Sequence, residues 1–186
     1  LYYISPQLWA WKGHRRFAMA SMLDELAVIF PFELETYADT GLPVQFVGHP
    51  FVAEDRALPV EYKPEAEVLL LPGSRPQAVA RIFPVLLRAF AKLLETHPRE
   101  RALVMVAGDA VRAEMERLLP RFPDAAAQLE LYPIGTPVAG KAVLTSSGTI
   151  SLACALAGIP GAIVYRAQPL TYLIGRSVVK VPYLGI

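Results

Sequence analysis

Val68-Leu69-Leu70-Leu71-Pro72-Gly73-Ser74-Arg75 is the stretch on which the reading of the fold turns. Four consecutive apolar residues make the unbroken run of a strand buried on both faces, as in parallel sheets covered by helices above and below. Pro72-Gly73 stops it. Just downstream, Val79, Ile82, Phe83, Leu86, Leu87, Phe90, Leu93 and Leu94 recur at three- and four-residue steps, which is one apolar face of a long helix. Pro84 inside that pattern either kinks the helix or begins a new one.

The same strand–turn–helix unit repeats. Leu103 to Ala107 reads as a buried strand, with Gly108-Asp109 opening a helix through about Leu119. A weaker strand falls at Leu129 to Tyr132. Ala142 to Thr145 is followed by Ser146-Ser147-Gly148-Thr149 and a helix over Ile150 to Ala157, with Gly158 at the C-cap position. Ala162 to Tyr165 and a helix over Leu170 to Val179 complete the series. Alternation of this kind predicts an α/β fold, a doubly wound parallel sheet of Rossmann type.

Upstream, Leu1 to Ile4 reads as a short buried strand ended by Ser5-Pro6. A helical segment, a strand at Leu26 to Phe30, a short helix from Phe32-Glu33 and a strand at Val44 to Val47 follow, the last closed by Gly48-His49-Pro50. Residues 53–66 mix charges with Pro59 and Pro64 and lack periodicity, so they read as an interdomain linker. The expected organisation is a Rossmann-like domain ending within 1–52, the linker 53–66, and a nucleotide-binding Rossmann-like domain over 67–186. The chain lacks an initiator Met and both ends read as cut, so the first domain is expected incomplete and the second truncated.

Composition narrows the function classes. Among 186 residues, 54% are hydrophobic and 19% charged, against about 45–50% and 25% for ordinary domains, which provides a sizeable core and argues against disorder. A net charge of +1 carries no bulk signal for nucleic acid. The single cysteine, Cys154, excludes an intrachain disulfide and fits a reducing compartment. No apolar run approaches the ~18–20 residues of a membrane span, and the start has no signal-peptide layout.

Ligands of open α/β sheets bind beyond the carboxyl ends of the strands, and two turns occupy that position. In Gly73-Ser74-Arg75 the glycine lets backbone approach a ligand, the following helix points unpaired N–H groups at the turn, and Arg75 adds a charged fork for phosphate oxygens. Ser147-Gly148-Thr149 repeats the arrangement with two hydroxyls. Glycine turns and N-cap hydroxyls also occur at any strand–helix junction; the pair together, one bearing an Arg, favours anion binding.

Neither G-x-G-x-x-G after a strand nor G-x-x-x-x-G-K-[ST] is present, which argues against a dinucleotide dehydrogenase and a P-loop NTPase. His14, His49 and His97 have no metal-ligand spacing. His97 reads as a solvated helix end. His49, before a proline at a strand end, either faces an interdomain cleft or serves the fold alone. Cys154, beside Leu152 and Leu156, reads as core packing. Trp9-Ala10-Trp11-Lys12-Gly13-His14-Arg15-Arg16 either packs its tryptophans and solvates its charges, or forms a rim meeting a greasy anionic substrate or a membrane surface.

One family shows these motifs in this order. Tyr2-Tyr3-Ile4-Ser5-Pro6-Gln7-Leu8-Trp9-Ala10-Trp11, Phe30-Pro31-Phe32-Glu33, Phe46-Val47-Gly48-His49-Pro50, Leu70-Leu71-Pro72-Gly73-Ser74-Arg75, Ser147-Gly148-Thr149, Tyr165-Arg166 and Pro169-Leu170-Thr171-Tyr172 with Val179-Lys180-Val181-Pro182-Tyr183 follow one another. Over nearly its whole length the chain resembles the lipid-A-disaccharide synthases. The resemblance implies a GT-B architecture, two Rossmann-like domains facing across a cleft. It implies a bacterial inverting glycosyltransferase that joins UDP-2,3-diacylglucosamine to 2,3-diacylglucosamine 1-phosphate and releases UDP, peripheral at the cytoplasmic face of the inner membrane. It implies neither metal nor cofactor. Carried over, Arg75 stabilises departing UDP, and Gly73, Ser74, Ser147, Gly148, Thr149 and Tyr165 shape the nucleotide pocket. Ser5, Trp9, Trp11 and His49 line the acceptor side.

Three departures stand out. Where the family usually has Glu three residues after the Arg, this chain has Ala78. Where it usually has a ribose-holding Glu four residues after the Thr, this chain has Ala153. The segment between Tyr132 and Ser147 is shorter. The family's glycine-rich turn and candidate general base, an aspartate, are expected upstream of Leu1, so this chain alone is not expected to catalyse. Two alternatives remain open: another GT-B UDP-sugar enzyme, and a degenerate homologue that binds UDP or membrane without turnover.

Overall fold

The computed structural model describes residues 1–53 and 57–166. The helix expected over Leu170 to Val179 and the motif from Pro169 to Tyr183 lie outside the described residues. Two compact units divide the chain between Ala57 and Leu58.

In the first unit, β1 (Tyr2–Tyr3), β2 (Leu26–Val28) and β3 (Val44–Phe46) pair in parallel in that order, with α1 (Arg15–Met22) between β1 and β2 and α2 (Glu33–Thr36) between β2 and β3. Leu26 and Val28 of the central strand pack with Leu8, Tyr37 and Leu42 into a small core. The expected burial of Leu1 to Ile4 does not hold: Leu1, Tyr2, Tyr3 and Ile4 are all exposed. Among the described residues β1 is hydrogen-bonded to β2, and the core of this unit takes in none of its residues.

The second unit carries β4 (Val60–Tyr62), β5 (Val68–Leu71), α3 (Pro76–Leu94), β6 (Ala102–Val106), α4 (Asp109–Leu118), α5 (Pro123–Ala126), β7 (Leu129–Pro133), β8 (Val138–Gly140), β9 (Ala142–Ser146), α6 (Thr149–Leu156) and β10 (Gly161–Val164). Five of these strands form one parallel sheet in the order β10-β9-β5-β6-β7. β4 arises inside the stretch that showed no periodicity. Only three residues long, it finds its partner, β8, far along the chain, so local pattern could not reveal it.

β5 is central, and all four of its residues are buried. Val68 and Leu70 join the core formed by Val79, Phe83, Leu86, Leu87 and Phe90 of α3 with Val111, Met115 and Leu118 of α4. Leu69 reaches the opposite face, where Gly140 makes room: a Cβ at Gly140 would stand 2.4 Å from Leu69 Cγ. α3 runs unbroken through the buried Pro84, so the helix continues where a break was one expectation. The lost bond to the Ala80 carbonyl is outweighed by the apolar face that α3 buries. The chain leaves β5 toward β6 through α3 and leaves β9 toward β10 through α6, in opposite directions across the sheet. Right-handed crossovers therefore put α3 and α6 on opposite faces, and the sheet is doubly wound as expected. Gly158, at φ +72°, ends α6 in the left-handed conformation expected there.

A Cβ at Gly161 would lie 2.1 Å from the carbonyl oxygen of Val143 on the neighbouring strand. Gly161→Ala should force β10 away from β9 and cost about 1–3 kcal/mol, measured by urea denaturation of the full-length protein; an unchanged midpoint would show that the strand edge yields freely.

Candidate functional site

The five-stranded sheet reverses its direction of growth between β5 and β9, and the crevice at such a switch point is where doubly wound folds hold ligands. Pairing brings Leu71 opposite Thr145, so the turns after these strands emerge side by side. Gly73 sits at φ +112°, and a Cβ built on it would lie 3.3 Å from Ser146 Oγ and 3.8 Å from Ala78 Cβ. The two turns singled out in the sequence are thus neighbours. Ser146 is the side chain of the second turn nearest the first, and no motif reveals it because its place comes from strand pairing.

The β5 turn passes directly into α3. Arg75 is its N-cap, extended at φ −117° and ψ 132°, and its carbonyl accepts from the Ala78 and Val79 amides at 2.9 and 3.0 Å. Ser74 and Arg75 are exposed beside a recess of ≈ 450 Å³ lined by Arg75, Pro76, Gln77, Ala78 and Arg81. The first turn of α3 contains no acidic residue, so nothing there offsets the positive end of the helix. The second turn is fixed by Ser151, whose Oγ donates to the Gly148 carbonyl at 2.5 Å and accepts from the Gly148 amide at 3.3 Å. Thr149, the first residue of α6, is exposed, and Ser147 and Gly148 are half-buried. Tyr165 follows β10, next to β9, and is exposed at the same edge of the sheet.

Ala153 is fully buried at 0%. That position offers a ribose neither a polar atom nor an approach. Cys154 beside it is buried too, and desolvation pushes its thiol up to about 11, in keeping with core packing.

The first-unit candidates also gather at strand carboxyl ends, though in different roles. Ser5 is buried at 8%, its Oγ 2.6 Å from Tyr37 Oη and 2.8 Å from the Pro6 carbonyl, so its hydroxyl ties the exit of β1 to the chain after α2. Trp9 meets Phe32 edge-on at 5.1 Å, Phe32 stacks on Phe30 at 5.3 Å, Phe30 lies 5.6 Å from His49, and His49 lies 5.0 Å from Phe51. Five rings therefore run in a row across the three strand ends. His49 Nδ1 accepts from the Phe51 amide at 3.1 Å. Trp11 stands apart, exposed under Lys12 Nζ at 5.4 Å. Arg16 is held by Asp39 through two hydrogen bonds and by the Gly13 carbonyl, so that part of the basic stretch braces its own unit.

Glu33 braces the turn that carries two of these rings. It is 2% exposed, and its Oε2 accepts from the Phe30 amide at 2.9 Å and the Ile29 amide at 3.2 Å, pinning the β2–α2 turn that presents Phe30 and Phe32. Burial raises its carboxyl above the ordinary value, against the two amides, which favour the anion. Among the described residues no group of three or more His, Cys, Asp or Glu gathers to hold a metal ion. None of their helices is long and apolar enough to cross a membrane.

Set beside known proteins, residues 1–186 match the family described as Lipid-A-disaccharide synthetase. The chain belongs to that family. The lipid-A-disaccharide synthase of Geobacter sulfurreducens is 36% identical over 199 residues, covering 100% of this chain and 51% of that protein. That of Syntrophotalea carbinolica is 37% identical over 198 residues, covering 100% and 50%. Lipid-A-disaccharide synthase 1 of Legionella pneumophila is 37% identical over 204 residues, covering 100% and 51%. The chain thus spans about half the length of the curated relatives it matches. Among solved structures, the pneumococcal O-GlcNAc transferase GtfA in complex with UDP and GlcNAc is similar with a TM-score of 0.54 at 11% identity, over 83% of this chain and 32% of that one. A GtfA/B complex is similar at 0.50 and 16%, over 84% and 33%. What these share with the lipid-A-disaccharide synthetase family member is the fold, the parallel α/β class of GT-B glycosyltransferases.

A raised folded pKa means that the folded state keeps the Glu33 proton longer than the unfolded one. Its contribution is then fullest below the unfolded carboxyl range and fades as pH rises through the folded value. Glu33→Gln keeps an oxygen acceptor and removes the charge, so the variant should gain on the parent as pH rises from about 4 to 7, read by urea midpoints across that range; a constant gap would contradict it. Glu33→Ala, which leaves both amides without their acceptor, should cost about 1–3 kcal/mol.

Proposed function

We propose that the protein of which this chain is part transfers a glucosamine unit from UDP-2,3-diacylglucosamine to 2,3-diacylglucosamine 1-phosphate, giving the lipid A disaccharide and UDP with inversion at the anomeric carbon. The observation that carries the reading is the closeness of the two turns at the sheet's switch point, where a Cβ on Gly73 would stand 3.3 Å from Ser146 Oγ, beside Arg75. It supports one phosphate-sized site built from two turns. In the reaction a hydroxyl of the acceptor attacks the anomeric carbon, the bond from that carbon to the diphosphate oxygen breaks, and the electron pair leaves with UDP. Charge develops on that diphosphate, and in this reading Arg75, the N-cap of α3, meets it together with the amides opening the helix.

Residues 67–186 form the nucleotide-binding domain in this reading. Gly73, Ser74, Ser147, Gly148 and Thr149 cradle the phosphates and ribose, and Tyr165 borders them. Residues 1–52 belong to the acceptor-side domain, where Trp9, Trp11 and His49 meet the acylated sugar phosphate and Ser5 holds the wall behind them. The general base is expected from the part of the protein that this chain does not span. The site lies peripherally at the cytoplasmic face of the inner membrane, where both lipid substrates are available.

Ala78 and Ala153 favour a second reading, a homologue that binds UDP without turnover. Calorimetric titration of UDP into the full-length protein, run beside a disaccharide assay, separates the two: binding with transfer supports the enzyme, and binding without transfer supports the degenerate homologue. Arg75→Ala should lower product formation about 100-fold, in the range of other lost transition-state charge contacts; unchanged product formation would remove Arg75 from the mechanism.

A further inference from the structure

Arg81 belongs to none of the motifs above, yet it borders the same ≈ 450 Å³ recess as Arg75. It lies on α3 one turn beyond Ala78. Helical Cα–Cβ bonds lean toward the N-terminus, which carries the Arg81 side chain back over Ala78 toward the turn. A Cβ built on Gly73 would lie 3.8 Å from Ala78 Cβ, which sets Ala78, one of the residues lining the recess, beside the turn.

The charge pattern sets this helix apart from its neighbour. On α4, Arg112 is paired with Glu116 and Arg117 with Glu114, each one turn away. On α3 the position one turn before Arg81 holds Ala78, and neither Arg75 nor Arg81 is paired with a carboxylate among the described residues. Two guanidinium groups thus border one open recess at a helix start, with no carboxylate paired to either among the described residues. A glutamate at position 78 would supply such an anion through an i,i+3 pair.

We propose that Arg81 is a second phosphate-binding residue, forming with Arg75 a two-arginine clamp for the diphosphate of a nucleoside diphosphate, and that Ala78 keeps the clamp available by withholding a competing carboxylate. The inference rests on the nucleotide site proposed above and adds a residue and a selectivity to it. Two cations suit two phosphates, so the clamp discriminates a diphosphate from a monophosphate more sharply than Arg75 alone.

The test is isothermal titration of UDP and UMP into the full-length protein and its variants, with circular dichroism confirming that each is folded. Arg81→Gln should weaken UDP about tenfold and UMP less than about threefold, the loss of one charge-assisted contact. Arg81→Lys should recover part of the UDP loss. Ala78→Glu should weaken UDP by a comparable factor in the parent and by less than about twofold when added to Arg81→Gln, because the carboxylate acts through Arg81. UDP affinity within about twofold of the parent in Arg81→Gln, alongside a clear loss in Arg75→Gln, would overturn the clamp and leave the nucleotide site standing. Equal losses of UDP and UMP would also overturn it. Absence of UDP binding by the parent would overturn the underlying site, and the clamp with it.

Discussion

β5 and β9 lie side by side with Leu71 opposite Thr145, and parallel pairing obliges both chains to turn away at the same edge. Two turns leaving adjacent strands compete for one volume. The chain resolves the competition at residue 73, where a Cβ would stand 3.3 Å from Ser146 Oγ and the φ is +112°, so the absence of a side chain leaves room for both turns. Much follows from that spacing. α3 must start where Arg75 can look over the crevice, and α6 must start on the other side of it. The fully buried β5 behind the turn anchors the geometry. A substitution there would disturb two turns together, which is why one glycine governs both halves of the proposed site.

Much of the second unit was legible because each strand announces itself by an apolar run and each helix by its periodic face. Val68 to Leu71, the α3 face and Gly158 all read directly into structure. β4 did not, since Val60–Tyr62 has three residues and a single buried one, and its reason for existing is β8. The site was legible in part. The glycines and Arg75 are visible as punctuation after strands. Ser146 and Arg81 are not, because one owes its place to strand pairing and the other to a helical turn facing an alanine.

The first unit teaches a different lesson. Leu1 to Ile4 looks like core in composition, yet all four residues are exposed among the described residues. Glu33 looks like an ordinary surface charge at a helix start, yet it is buried and accepts two backbone amides. Composition assigns a residue its preferred solvent; only the surrounding backbone decides whether an amide pair can replace that solvent.

Cys154, buried in α6 with its thiol held near 11, is unreactive while the helix stays packed. The same helix begins with Thr149 and is tethered to Gly148 through Ser151. A thiol-directed label would therefore attach at a rate set by how often this helix lifts from the sheet, and that rate would report the breathing of the Ser147-Gly148-Thr149 turn. The chain thereby contains a single built-in chemical clock for the motion of one wall of its proposed ligand site.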